Sequence, residues 1–186
     1  ACIEPHGDRP PDLIGCDLAR TTDPGVTDPE DLPWLRDNAA LELPRERYLA
    51  GYLGLRIDGC IIGKGVRRAF QMKNELFFRA GYHEDVDFLF RAYWTARRTA
   101  YVPHPLYITV ARPGSIVYSV TPAHIDGYLR AWWTVGVFLR QNDPACWTRL
   151  MGYYRMGLTG VVASLARSIS FYAPGDPEVA RLMERL

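Results

Sequence analysis

The sequence lacks the cysteine spacing that marks several common classes of protein. Its 186 residues include four cysteines, widely dispersed and without a Cys-x-x-Cys pair: Cys2, Cys16, Cys60 and Cys146. Zinc sites and dithiol redox sites depend on tight local spacing, so neither is predicted. Dispersed cysteines in a chain of this size are typical of small buried apolar residues in a reducing compartment.

The sequence also lacks a segment with the character of a membrane-spanning helix. The apolar stretch at 158–166 is far shorter than the ~20 apolar residues that a span requires. Residues 1–11 are polar and rich in proline, unlike a signal peptide. We therefore expect a cytoplasmic protein that is not an integral membrane protein.

An excess of charge of one sign is absent as well. The chain has 22 basic and 21 acidic side chains, for a formal net charge of +1 at pH 7. A balance this close to neutral gives no general case for binding nucleic acid. With 48% hydrophobic residues, the composition is that of one globular α/β domain, with length enough for a helical appendage.

Local patterns predict short strands and helices up to about residue 110 and long helices after it. The central prediction is an amphipathic helix at 84–98 with an apolar face at Val86, Phe90 and Tyr93. Asp87 and Arg91 are spaced to pair on the opposite face. The remaining predictions are strands at 12–18, 99–103 and 106–110, a turn at 63–65, helices at 43–55 and 66–72, and two helices after residue 121 that the segment 142–144 separates.

Two adjacent acids, Glu84 and Asp85, open the predicted central helix. One explanation is structural, because acids at a helix start cap free backbone N–H groups and complement the helix dipole. The other is chemical, since a carboxylate at a helix start, followed by basic and glycine-containing loops, suits removal of a proton from a hydroxyl beside a phosphate.

Further motifs flank the two acids in a characteristic order. They are Gly63-Lys64 and Arg67-Arg68 upstream, and Tyr101-Val102-Pro103, Pro105-Leu106-Tyr107 and Arg112-Pro113-Gly114-Ser115-Ile116 downstream. In this order, over residues 58–119, the chain resembles the second half of family 2 of the inverting, GT-A-type glycosyltransferases. Members of that family transfer sugars from nucleotide donors, commonly in polysaccharide, capsule or cell-wall assembly.

The resemblance implies roles for three residues at the start of the central helix. Asp85 would be the general base that deprotonates the acceptor hydroxyl, and Glu84 its neighbour in the acceptor pocket. His83 would be a third residue of that pocket, although a lone histidine is more often an ordinary surface or core residue.

The resemblance also implies contacts to the donor. Lys64 would bind donor phosphates, and its alternative role is a solvated loop charge. Arg112 would neutralise the leaving nucleoside diphosphate, because arginine pairs with phosphate oxygens bidentately, or else it would hold a turn. Ser115, on the same glycine-containing loop, would line the substrate site. The chain departs from the family pattern at Gly65-Val66 and at Val110.

The first half of the family, which holds the nucleotide and a metal through an Asp-x-Asp motif, is not recognisable. Asp85-Val86-Asp87 is an Asp-x-Asp sequence, but a helix directs its two carboxylates about 200° apart, so no metal ligand is assigned. The Mg²⁺ or Mn²⁺ ion of the complete enzyme would have its ligands mostly outside this chain. The predicted fold is α/β: the C-terminal part of a GT-A-like domain at 1–120, followed by a helical region at 121–186.

Two expectations follow from such a part of an enzyme, and one alternative function stays open. The isolated chain should have little or no activity towards a nucleotide-sugar donor and a saccharide or lipid-linked acceptor. Its sheet should have an unpaired edge that favours a homodimer. The alternative function is a non-catalytic acceptor-binding or assembly module derived from such a transferase.

The two predicted C-terminal helices are rich in aromatic and basic side chains. The first interpretation is a helical hairpin that packs on the sheet through two apolar stripes. The second is a basic-aromatic surface that rests on anionic lipid at the inner face of the membrane, either in the transferase or in a helical adaptor. The stripes are Ile125, Leu129, Trp132, Gly136 and Leu139, and Met151, Tyr154, Leu158, Val161 and Leu165.

Overall fold

In the computed structural model, a mixed β-sheet brings together strands that lie far apart in the sequence. The structure describes residues 10–21, 25, 41–42, 44–57, 59–110, 121–172, 175, 177–178 and 181. The elements are β1 (Leu13–Thr21), β2 (Leu41–Glu42), α1 (Arg45–Leu53), β3 (Lys64–Val66), α2 (Arg68–Lys73), α3 (Glu84–Thr95), β4 (Thr99–Val110), α4 (Pro122–Asn142) and α5 (Pro144–Tyr172).

The sheet has the strand order β2-β4-β1-β3. The central strands β1 and β4 are parallel, whereas β3 pairs with β1 and β2 with β4 in antiparallel orientation. Parallel neighbours require a crossover connection, and here the crossover carries α1, α2 and α3. The predicted α/β class and helical C-terminal region are therefore confirmed.

Residues 99–110 form one strand, so the prediction of two strands at 99–103 and 106–110 is wrong. Cys16 pairs with Val102 and the next residue, Asp17, with Pro105, so the pairing skips two residues of β4. A bulge of this kind accommodates proline, which has no N–H to donate to the ladder. The prolines that ended the predicted strand mark an irregularity within a longer one.

Other predicted elements are present with shifted ends. The helix predicted at 43–55 spans Arg45–Leu53 and the one predicted at 66–72 spans Arg68–Lys73. The central helix ends at Thr95 rather than 98, because the backbone of Ala96 is extended. Lys64, predicted within a turn, begins β3.

Helix α3 packs in the core between α1 and the C-terminal helices, and its predicted apolar face at Val86, Phe90 and Tyr93 is buried. The ring of Tyr48 in α1 stacks on that of Tyr93, with centroids 5.2 Å apart. The Tyr52 hydroxyl donates a buried hydrogen bond of 2.8 Å to the Val86 carbonyl. These contacts fix the first turns of α3, where the two adjacent acids lie.

Helices α4 and α5 form the predicted hairpin. Ile125, Trp132 and Leu139 of the first stripe and Val161 and Leu165 of the second are all buried. The predicted hairpin is therefore confirmed, but its main packing partners are α1 and α3 rather than the predicted sheet. Within the part of the chain that the structure describes, no helix is long and apolar enough to cross a membrane.

The basic-aromatic surface predicted on these helices is only partly exposed. Trp132 and Tyr154 of the apolar stripes are 2% and 9% exposed, so these two aromatic side chains do not contribute to that surface. Arg130 forms an ion pair with Asp126 on α4, which reduces its charge at the surface. Trp133 remains 66% exposed.

Among the described residues, the outer edge of β4 is paired over a small part of its length. The described strands pair with this edge at Ala100 and Tyr101 only. Leu106 and Tyr107, farther along β4, are 51% and 47% exposed. The unpaired edge, the homodimer and the division at residue 120 stay predictions.

Candidate active site

Asp85 lies half-buried in the first turn of α3. Its Oδ2 accepts a hydrogen bond from the Ile61 N–H at 3.3 Å. Burial raises the pKa of the Asp85 carboxyl above its ordinary 3.8, the Ile61 bond opposes this change, and the charge of Glu84 adds to it. Asp85 therefore binds a proton more readily than an ordinary aspartate, which is the property that a general base requires.

A tight turn at 61–64 begins at the residue whose N–H contacts Asp85 and ends at Lys64. The Lys64 N–H donates to the Ile61 carbonyl at 3.0 Å, and Ile61 is also the residue whose N–H contacts Asp85. Gly63, at the third position of this turn, has a φ of 76°, and a Cβ there would lie 2.7 Å from Leu18 Cδ2. Only glycine adopts this positive φ without strain and leaves room for the neighbouring side chain. The turn brings Lys64 Cα within about 7 Å of Ile61 Cα.

The Lys64 side chain lies across β1 instead of extending into solvent. A Cβ on Gly15 of β1 would be 3.1 Å from Lys64 Cδ and 3.3 Å from Tyr101 Cδ2. The Lys64 Nζ is buried and has no hydrogen-bond partner among the described residues. A buried ammonium group without acceptors is costly, and an anionic group of a ligand would supply those acceptors.

Tyr101 and Asp17 flank the same part of β1. Gly15 pairs with Lys64 on one side and with Tyr101 on the other, so the three residues form one row across the sheet. The Tyr101 hydroxyl donates a hydrogen bond to Asp17 Oδ1. Burial, followed by this bond to Asp17, raises the pKa of Tyr101 well above its ordinary value, so Tyr101 remains a neutral donor.

His83 forms a pair with His124, the third residue of α4. Their Nε2 atoms are 3.0 Å apart, so one ring donates and the other accepts, which requires at least one neutral ring. Tyr128 stacks on His83 at a centroid distance of 4.0 Å. Burial, with a smaller contribution from His124, lowers the pKa of His83 from 6.5 to about 4, and burial lowers that of His124. The pair is therefore neutral at pH 7 and ties the start of α3 to the start of α4.

Asp85 and Asp87 have different partners. Asp87 is 5% exposed, and its Oδ2 accepts a 2.9 Å bond from Arg91 Nε, which confirms the predicted Asp87–Arg91 pair. Arg79 approaches the same Oδ2 at 3.4 Å. No group of three or more His, Cys, Asp or Glu side chains that could hold a metal ion occurs within the described ranges. The two aspartates therefore do not converge on one ion.

The structure brings together some of the sequence-predicted site residues. Asp85, Glu84 and His83 are consecutive at the start of α3, and the turn at 61–64, which ends at Lys64, contacts Asp85 through the Ile61 N–H. Glu84 is exposed, whereas the His83 ring contacts His124. Arg112 and Ser115 lie outside the described residues.

Sequence reasoning missed the residues that hold this site in place. The Ile61 N–H, His124 and Tyr128 contact residues of the 83–85 segment that are 24 to 45 positions away in the sequence. No local pattern encodes such contacts. Gly63 was the only available signal, because a glycine before a lysine at a predicted turn indicates a special backbone conformation.

Comparisons with protein-family models, with curated proteins and with solved structures give no match for this chain. The resemblance to family 2 glycosyltransferases therefore depends on the motifs alone, and the function is argued from the geometry of the site.

Proposed function

We propose that this chain is the acceptor-side part of an inverting, GT-A-type glycosyltransferase that uses Asp85 as its general base. The observation that carries the proposal is the turn at 61–64. Its first residue holds the half-buried Asp85 carboxylate, and its last residue is Lys64, whose buried Nζ has no acceptor among the described residues. A base that contacts one end of a turn whose other end carries an unpaired cation suits a reaction between a hydroxyl and a phosphate ester.

The proposed step is a single displacement. Asp85 removes the proton from an acceptor hydroxyl while the hydroxyl oxygen forms a bond to the anomeric carbon of the donor sugar. The bond from that carbon to the nucleoside diphosphate oxygen breaks, and the leaving group keeps the electron pair. Lys64 stabilises the negative charge on the leaving diphosphate, and Arg112 is assigned to the same task by the resemblance.

The raised pKa of Asp85 supports its role in this step. A base removes a proton most effectively when its pKa approaches the working pH without exceeding it. Burial of Asp85 raises its pKa, while the Ile61 N–H fixes one carboxylate oxygen. The other oxygen, Oδ1, is assigned to the acceptor hydroxyl.

A metal-dependent enzyme would need ligands beyond those that the structure describes. Asp87 is committed to Arg91, and no group of three or more His, Cys, Asp or Glu side chains that could hold a metal ion occurs among the described residues, so the described carboxylates do not form a Mg²⁺ or Mn²⁺ site. When bound in the complete enzyme, such an ion would neutralise the donor diphosphate. No step above is assigned to it.

The test is sugar transfer from UDP-, GDP- and dTDP-sugars to saccharide and lipid-linked acceptors by the full-length protein and its Asp85→Asn variant. Asparagine keeps the acceptor for the Ile61 N–H but loses the basic oxygen. The rate should fall about 10²–10⁴-fold, the usual contribution of a general base. The matched control is Asp126→Asn, an exposed acid of α4, which should not change the rate.

Two results would contradict this assignment. Equal rates for the wild type and Asp85→Asn would exclude Asp85 as the base. The second result is that the wild type transfers sugar from none of the donors while Asp85→Asn leaves acceptor binding unchanged. This result would favour a non-catalytic acceptor-binding module instead.

A further inference from the structure

The segment between α2 and α3, residues 74–83, exposes aromatic side chains. Phe77, Phe78 and Tyr82 are 50%, 48% and 40% exposed. Met72, just before the segment, is 53% exposed. Single exposed apolar residues are ordinary, but several of them close together mark a contact surface.

The protein holds this segment in one conformation. Arg91 donates from Nη2 to the Phe77 carbonyl at 2.7 Å while its Nε bonds Asp87. The Phe78 ring stacks on Phe88 of α3, with centroids 4.2 Å apart. Leu76 is 3% exposed and anchors the start of the segment in the core.

The far end of the segment is held by α4. A Cβ on Gly127 would lie 2.7 Å from Tyr82 Cβ, so this glycine allows the close approach of the two backbones. The Tyr82 ring also meets His124 edge-on at 5.7 Å. The aromatic side chains are therefore displayed by a segment fixed at both ends.

From residue 68 to residue 82, basic side chains outnumber acidic ones, and the acids Glu84 and Asp85 follow at the start of α3. Residues 68–82 contain three basic side chains, Arg68, Lys73 and Arg79, against one acidic side chain, Glu75. Arg79 shares Asp87 with Arg91, so these three groups carry one net positive charge, and the Arg79 side chain is 60% exposed. Exposed cationic and aromatic side chains within one short segment complement an anionic bilayer.

We infer that residues 72–82 are a membrane-contact surface. Phe77 and Phe78 enter the interfacial region of an anionic bilayer, and Lys73 and Arg79 contact its headgroups. The segment leads directly into Glu84 and Asp85, so this contact places the start of α3 at the bilayer surface. The inference does not depend on the proposed function, because vesicle binding requires no sugar donor.

The test is co-sedimentation of the protein with vesicles of phosphatidylcholine containing about 30% phosphatidylglycerol, at low salt. Wild-type protein should bind these vesicles and lose the binding in high salt or with pure phosphatidylcholine. Phe77→Ser should weaken partition into the vesicles about fivefold. This factor corresponds to the loss of the contact that about half of a phenylalanine side chain makes with the bilayer. Lys73→Gln should weaken it by a similar factor.

The matched control is Trp133→Ser, which removes an aromatic side chain that is 66% exposed on α4 and should leave partition unchanged. The inference is overturned if the wild type does not bind the anionic vesicles, or if Trp133→Ser weakens binding as much as Phe77→Ser does. It is also overturned if Phe77→Ser leaves vesicle binding intact but dissociates a dimer in light scattering, because the surface then contacts a second copy.

Discussion

Acid should destabilise this protein through the His83–His124 pair at the start of α3. Burial lowers the pKa of His83 from 6.5 to about 4 and lowers the pKa of His124 as well. A base whose pKa is lower in the folded state than in the unfolded state contributes stability above the unfolded pKa. That contribution is lost as the pH falls from 6.5 towards 4.

The magnitude follows from the two pKa values of His83. At pH 5 the unfolded histidine, with a pKa of 6.5, is almost fully protonated, whereas the folded one, with a pKa of about 4, is almost fully neutral. The free energy of unfolding should therefore fall by about 2 kcal/mol between pH 7.5 and pH 5 through this residue alone. For a chain of this size, that is a decrease in Tm of roughly 4–8 °C.

Urea denaturation of the wild type and of His83→Asn at both pH values measures this contribution. Asparagine tolerates the left-handed backbone of residue 83, which has a φ of 58°, so the variant removes the titrating ring with little backbone strain. Asp85, whose raised pKa acts in the opposite direction, is present in both proteins and cancels. A difference between the two proteins that is the same at both pH values would refute the argument.

Four further substitutions test other parts of the account by their effect on the free energy of unfolding in urea. Gly63→Ala should lower it by at least 1 kcal/mol, because the backbone φ is 76° and the new Cβ clashes with a neighbouring side chain; an unchanged value would contradict the conformation of the turn. Gly152 of α5 faces open space, so Gly152→Ala should raise the free energy of unfolding by about 0.5–1 kcal/mol. Gly136→Ala should lower the free energy of unfolding, because a Cβ there would lie 2.7 Å from a tyrosine hydroxyl. Similar effects of the two substitutions would contradict the packing of α4 on α5. Lys64→Met should raise it by about 1 kcal/mol, since the buried Nζ lacks a partner among the described residues; a loss of stability would mean that the ammonium group is already satisfied in the free protein.

The start of α3 illustrates what local sequence patterns can predict. The periodicity of Val86, Phe90 and Tyr93 predicted a buried face, and the four-residue spacing of Asp87 and Arg91 predicted their pair. Both predictions are confirmed. Each depends only on the geometry of one helix, which the sequence encodes directly.

Contacts between distant parts of the chain were not predictable in the same way. His83 was predicted as a lone pocket residue, but it is one half of a pair whose partner lies 41 positions away. Lys64 was predicted on a loop, but a single hydrogen bond from Ile61 to Asp85 ties its turn to α3. Neither contact produces periodicity or composition that a local pattern can detect.

The strand β4 shows where a local rule predicts an interruption but not its form. Proline is depleted in strands, so Pro103 and Pro105 divided 99–110 into two predicted strands. The pairing with the long neighbour β1 outweighs this preference and keeps one strand with a bulge. Whether proline ends a strand or bulges it depends on the neighbouring strand, which local reasoning does not identify.

The role of Asp85 is tested most directly by the pH dependence of sugar transfer by the full-length wild-type protein and by its Asp85→Asn variant. Because the pKa of Asp85 is raised, log kcat/KM of the wild type should rise by about one unit per pH unit up to a pKa above 3.8 and then level off. The variant should lose this acidic limb together with most of its rate. An acidic limb that persists in Asp85→Asn would contradict the assignment of Asp85 as the base.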